Sequence, residues 1–127
     1  LQYLNAYNEA RQKVAAFYDQ AFSDLPELSV PAKSPFSTHI YHQYTLQVDH
    51  GKRDALKAHL QEHTIPSMIY YPVPLHMQKA YADLGYREGD FPVTEAMCKR
   101  VLSLPVHTEM EQDQLEAVTD AVTGFFK

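Results

Sequence analysis

The chain is short of several things, and each shortage excludes something. It has one cysteine, Cys98, so it cannot close an internal disulfide and offers no disulfide framework. Its four glycines are scattered, so no glycine-rich loop is available to cradle a phosphate. Basic residues are outnumbered, 11 Lys+Arg against 16 Asp+Glu, and the charges are interspersed. No basic stripe exists, and nucleic-acid binding therefore has no electrostatic footprint. No apolar run approaches the roughly 20 residues that span a membrane, and no signal-peptide pattern opens the chain. These absences fit a cytoplasmic protein.

What remains is ordinary globular composition: 127 residues, 45% hydrophobic and 21% charged. A chain of this length makes one domain and buries about two-thirds of its unfolded surface. Its opening, Leu1-Gln2-Tyr3-Leu4, offers neither Met nor a cap and already reads as mid-helix. The expectation is a piece of something longer.

The elements follow from periodicity. Leu4, Tyr7, Arg11, Val14, Tyr18, Ala21 and Leu25 step by three or four and predict one helix from residue 1 to about 24, ended by Pro26. A short strand is expected at Ser29-Val30. The clearest strand runs from His39 to Val48, with Ile40, His42, Tyr44, Leu46 and Val48 on one face. A helix from Lys52 to His63 turns Leu56 and Leu60 inward. A second strand is read from Ile65 to Tyr70. A short helix, Met77 to Leu84, stops at Gly85, and another opens at Pro92, a favoured first-turn residue. A third strand, Val101 to Leu104, precedes a last helix for which Thr108 and Glu111 make a capping box. The fold class is α+β, two layers: a small sheet of three to four strands with helices mainly on one face, led by a long N-terminal helix. Its expected core contains Ile40, Leu46, Val48, Leu56, Leu60, Ile69, Leu102, Leu104, Leu115 and Val118.

One stretch stands apart. In Tyr70-Tyr71-Pro72-Val73-Pro74-Leu75-His76, each proline fixes its own φ and drives the preceding residue toward extended backbone. The result is a stiff arm carrying two phenols and an imidazole, all able to donate and accept hydrogen bonds. The plain alternative is a rigid connector whose tyrosines cover a neighbouring helix.

Other constellations are weaker. His59-Leu60-Gln61-Glu62-His63 matches H-x-x-E-H, an inverted zinc-protease pattern. It falls in the last turn of a short helix with no evident third ligand, so a solvated helix face is the better reading. His39 and His42 are three apart on a predicted strand and point to opposite faces. Cys98 could be paired on paper with His76 or His107, but a helical cysteine is usually a small apolar residue. Ser103 lacks the G-x-S-x-G elbow. No complete catalytic machinery is present.

Several motifs, in order, carry a resemblance. Asn8-Glu9-Ala10-Arg11 with Ala15-Ala16-Phe17-Tyr18 resembles N-x-x-R…A-x-x-Y. His39-Ile40-Tyr41-His42-Gln43-Tyr44 resembles H-x-Y-H-x-Y. Arg53-Asp54-Ala55-Leu56, Leu60 and Ile65-Pro66 follow. Then come Tyr71-Pro72-Val73-Pro74-Leu75-His76-Met77-Gln78, resembling Y-P-x-P-L-H-x-Q, then Phe91-Pro92-Val93-Thr94-Glu95 and Leu102-Ser103-Leu104-Pro105. Over essentially its whole length the chain is similar to the C-terminal small domain of the DegT/StrS-type sugar-nucleotide aminotransferases, a fold-type-I pyridoxal-phosphate (PLP) family. Two positions depart from the pattern. Tyr70 stands where many members have His, and Thr64 where many have a helix-stopping Gly, so Thr64 is expected to end its helix differently.

The resemblance implies a parent enzyme in which residues 1–127 are the single C-terminal small domain. An N-terminal large domain, absent here, would carry PLP on a lysine. The substrates would be a nucleotide-linked keto sugar and an amino donor, glutamate, at a homodimer interface. Tyr70, Tyr71 and His76 would contact substrate, with His39 and Tyr41 as further candidates. The resemblance assigns no catalytic, cofactor-binding or metal-binding residue to this chain. None of its lysines lies in a segment resembling the family's PLP-lysine loop, so the piece alone would be inert and bind no cofactor. A different class, a free-standing small α+β binding or regulatory module, is the alternative, and a zinc site at His59 and His63 a weaker one.

Overall fold

The computed structural model describes residues 1–127. Four α-helices and three strands follow in order: α1 (Leu4–Ala21), β1 (Leu28–Ser29), β2 (Tyr44–Val48), α2 (Arg53–Glu62), α3 (Pro92–Arg100), β3 (Val101–Leu104) and α4 (Gln112–Phe126). The strands form one antiparallel sheet in the order β1-β2-β3. Leu28 faces Val48, Tyr44 faces Leu104 and Leu46 faces Leu102. Residues directly opposite share a face, so these six apolar side chains make one buried surface. Val14, Ala15 and Tyr18 from α1, Leu56 and Leu60 from α2, and Leu115, Val118 and Val122 from α4 complete the core against it. This is the expected α+β arrangement.

The sheet's other face is more polar. Thr45 and Ser103 lie opposite each other, their hydroxyls 2.8 Å apart. Here α3 packs on β2. Arg53, buried at the start of α2, donates from Nη1 to the carbonyls of Cys98 (3.1 Å) and Val101 (3.2 Å). One side chain thus ties α2 to the α3–β3 junction.

Several expectations need correction. Strand β2 begins at Tyr44, not His39. Tyr41 takes a left-handed φ of 49°, which breaks the period of two. Helix α1 holds the segment instead: Arg11 Nη1 donates to the Tyr41 and His42 carbonyls (both 3.3 Å), and Gln12 Nε2 to the His39 carbonyl (2.9 Å). Ile40 and His42 are consequently exposed, and Tyr41 is buried in place of Ile40. The expected strand at 65–70 reduces to a single antiparallel bridge between Met68 and Ser103, with Ile69 half-buried beside the core. The helix expected at 77–84 is two 3₁₀ segments, Leu75–Met77 and Lys79–Leu84, and Gly85 at φ 77° closes the second. The α4 capping box is formed by Glu111 and Gln114, three residues later than Thr108 and Glu111.

Thr64 does not end α2 differently. It adopts the left-handed φ (59°) that a glycine would take. Its N–H bonds the Gln61 carbonyl at 3.0 Å and the Ile65 N–H bonds the Leu60 carbonyl at 2.9 Å. That is the double bond pattern of a Schellman stop. No helix is long and apolar enough to cross a membrane.

Candidate functional site

The proline arm leaves the sheet edge at Met68. That residue exchanges two backbone bonds with Ser103, at 3.0 and 2.7 Å. Residues 69–73 then make no backbone–backbone hydrogen bond at all. Pro74 is extended (φ −56°, ψ 143°), its ring fixing the φ, and the chain enters its first 3₁₀ turn at Leu75. The Tyr70–Tyr71 peptide is cis, and the two rings meet edge-on at 5.8 Å.

Both phenols stand at the surface, Tyr70 at 38% and Tyr71 at 70% exposure. With Val73, Pro74, Leu75 and Gln78 from the arm, and Thr94, Met97 and Cys98 from α3, they line an open cavity of about 480 Å³. The walls are mainly apolar; hydroxyls and one amide supply polarity, and no charged side chain takes part. Such a cavity suits an uncharged polyhydroxylated group, which hydrogen bonds orient and apolar walls desolvate.

His76 is placed otherwise. Its side chain is only 7% exposed, its ring lies 4.8 Å from that of Phe91, and Nε2 is 2.9 Å from Glu95 Oε1. The imidazole thus turns inward from the cavity of the two tyrosines and lines a second, more apolar one of about 370 Å³ with Leu75, Tyr81, Leu84, Tyr86, Phe91 and Thr94. Glu95 was missed as a site residue. It accepts from His76, from Gly89 N–H (2.9 and 3.0 Å) and from Phe91 N–H (3.3 Å). Burial pushes its carboxyl upward, but the Gly89 and Phe91 amides, and then His76, outweigh that and hold it below the usual carboxylate range. Its sequence signal was the acidic residue closing Phe91-Pro92-Val93-Thr94-Glu95, at the fourth position of α3.

His39 and Tyr41 lie elsewhere. His39 Nδ1 accepts from the Tyr41 N–H at 2.9 Å, and its ring packs 4.2 Å from that of Tyr41. His39 lines a shallow groove of about 470 Å³ with Pro31, Thr38, Ile40, His42, Gln43 and Thr45. The Tyr41 side chain is buried, and its hydroxyl has no hydrogen-bond partner. The structure therefore brings Tyr70 and Tyr71 together, sets His76 behind them, and leaves His39 and Tyr41 on a separate surface.

The two histidines of the H-x-x-E-H stretch are engaged with backbone. His59 Nε2 is 3.1 Å from the Ala121 carbonyl, and His63 Nδ1 is 2.9 Å from the His59 carbonyl. No group of three or more His, Cys, Asp or Glu is placed to hold a metal ion.

A three-stranded antiparallel sheet, four α-helices and a proline arm over an open cavity define the class of the chain as α+β. Over 100% of this chain and 34% of its own, the solved Streptomyces venezuelae DesV, captured in complex with a ketimine intermediate, superposes with a TM-score of 0.94 at 33% identity. A DegT DnrJ EryC1 StrS aminotransferase from Brucella abortus matches with a TM-score of 0.88 at 35% identity, over 99% of this chain and 33% of its own. The family model described as DegT/DnrJ/EryC1/StrS aminotransferase matches residues 1–123, and the chain belongs to that family.

Two relatives match nearly the whole chain. A pleiotropic regulatory protein of Geobacillus stearothermophilus is 38% identical over 98% of this chain and 34% of its own length. The dTDP-3-amino-3,4,6-trideoxy-alpha-D-glucose transaminase of Streptomyces venezuelae is 34% identical over 96% of this chain and 32% of its own. The chain spans about a third of the length of the relatives it matches.

Proposed function

We propose that this chain forms one wall of the substrate cleft of a PLP-dependent aminotransferase. The enzyme would move an amino group, from glutamate, to a nucleotide-linked keto sugar for polysaccharide or related amino-sugar synthesis. The observation that carries this reading is the exposed Tyr70–Tyr71 pair, held on a proline-stiffened arm over a cavity with no charged lining. Family membership and the transaminase relatives support it.

A sugar is oriented by hydrogen bonds to its hydroxyls, and phenols can donate or accept at such contacts. Orientation is what the reaction needs from this wall, because bringing the keto carbon into line can remove a large part of the barrier. PLP, when bound, serves as the electron sink for the amino transfer. In this reading it is carried on a lysine of the preceding large domain, and the full-length protein is a cytoplasmic homodimer. Tyr70 and Tyr71 meet the substrate directly, and His76 acts from behind them. His39 and Tyr41 belong to the reading only as a more distant contact surface, led by the exposed His39.

The test is kinetic. In the full-length enzyme, Tyr71→Phe should lower kcat/KM for the sugar nucleotide about tenfold, the scale of one lost oriented hydrogen bond. The half-reaction with glutamate alone should stay near the wild-type rate. Equal loss in both half-reactions would place Tyr71 in folding or cofactor binding and overturn the assignment.

A further inference from the structure

We propose that Glu95 is the positioning residue of this site: through His76 it fixes the arm that presents Tyr70 and Tyr71 to the sugar nucleotide. This role presupposes that the arm meets that substrate, as proposed above.

The geometry behind it is a span held at two ends. At one end, Met68 is paired to Ser103 by two backbone bonds. Between, residues 69–73 have no backbone–backbone hydrogen bond, and no side-chain hydrogen bond holds Tyr70 or Tyr71. The prolines stiffen the span but do not say where it points. Its direction is therefore set where it next meets the fold, and that is the His76–Glu95 contact at 2.9 Å. The two side chains are 7% and 12% exposed, so water competes little for either.

Glu95 suits the task because its other bonds are fixed. It projects from the first turn of α3, which packs on β2, the central strand. Its carboxylate also gathers the Gly89 and Phe91 amides, so the loop before α3 and the arm converge on one anion. Gly89 reaches it with a φ of 96°, which a side chain would disfavour. An ionised Glu95 accepts, so His76 must donate from Nε2–H. That selects the tautomer and the ring orientation together. The links from β2 to α3 to Glu95 to His76 are packed or charge-assisted contacts, and the proline-stiffened chain carries them on to Tyr71.

The role separates from simple stabilisation by where the loss appears. In the full-length protein, Glu95→Ala should raise the KM for the sugar nucleotide about tenfold, as expected for misplaced contact groups. The glutamate half-reaction should stay within about twofold of wild type, since an arm contact that serves orientation is realised only with the sugar. Amide exchange followed by mass spectrometry, without substrate, should show faster exchange in residues 70–78 and 86–91 and unchanged exchange in α1 and α4. Glu95→Gln keeps an acceptor oxygen and should recover most of both effects. Glu88→Ala, removing an exposed neighbour on the same loop, should change neither.

Unaltered exchange in residues 70–78 of Glu95→Ala would overturn the clamp. A loosened arm with an unchanged sugar KM would overturn its part in recognition while leaving the sugar reading intact. A wild-type protein that transaminates no keto sugar nucleotide would be a distinct failure, that of the underlying reading, because the exchange measurement uses no substrate.

Discussion

At the scale of residues, conformation outruns chemistry. Thr64 is β-branched, exposed, and held at φ 59°, where such residues are strained. Its side chain takes no part in the core. Left-handed backbone costs a non-glycine residue about 1–2 kcal/mol, and a glycine there loses about 0.5–1 kcal/mol in extra chain entropy. Thr64→Gly is therefore expected to stabilise the protein by roughly 0.5–1 kcal/mol. Denaturant unfolding with an unchanged slope checks it; a lower midpoint would mean that the threonine contributes something the geometry does not display. Tyr41 carries the same lesson. The expected strand put it on the face opposite Ile40, yet at φ 49° its ring is buried and its hydroxyl unpaired.

At the scale of elements, ends were harder to read than interiors. Leu46, Val48, Leu56, Leu60, Leu102, Leu104, Leu115 and Val118 were legible as core and are buried, because helical and strand periods repeat along each element. Ile40 was read inward by the same rule and is exposed, because Arg11 and Gln12 of α1 take the carbonyls that a longer β2 would have used. Caps depend on single side chains, and the sequence placed the α4 box at Thr108 and Glu111. In the structure Glu111 is the N-cap, and its N–H is bonded by Gln114 Oε1 at 3.0 Å. Gln114→Ala, which removes that acceptor, should then cost about 0.5–1 kcal/mol, and Thr108→Ala less than about 0.5 kcal/mol. Paired thermal unfolding decides it; the opposite ranking would restore the Thr108 box.

At the scale of the whole molecule, the exposed apolar residues fall into groups. Leu1, Leu4 and Tyr7 stand on the first turns of α1 and just before it. A second group, Met68, Tyr71, Val73, Leu75 and Leu84, lies on the arm or lines the cavities beside it. Exposed patches of this kind mark surfaces that pack on something else. In the reading proposed here, that is the large domain, which would also hold the cofactor phosphate and ring. Titrating the 127-residue chain with PLP should accordingly give only weak, unsaturating labelling of surface lysines, and glutamate should not change its absorbance. A saturable band that glutamate shifts would mean that a complete site lies within these residues.

The sequence by itself determined the α+β class, the order of α-helices and sheet strands outside residues 65–84, most of the core, and the family. Each of these rests on repeated signals, periodic apolar positions or ordered motifs, that survive the loss of any one residue. It also marked the arm as stiff, since proline geometry is local. Only the tertiary structure decided where that arm points. The His76–Glu95 contact joins residues 19 positions apart, and Arg11 reaches Tyr41 across 30. Such pairings depend on how α1, α3 and the sheet pack together, and no local pattern encodes them. That is why Tyr70 and Tyr71 were legible as candidates, whereas Glu95, visible in the sequence only as the acidic residue closing Phe91-Pro92-Val93-Thr94-Glu95, took its role from its partners.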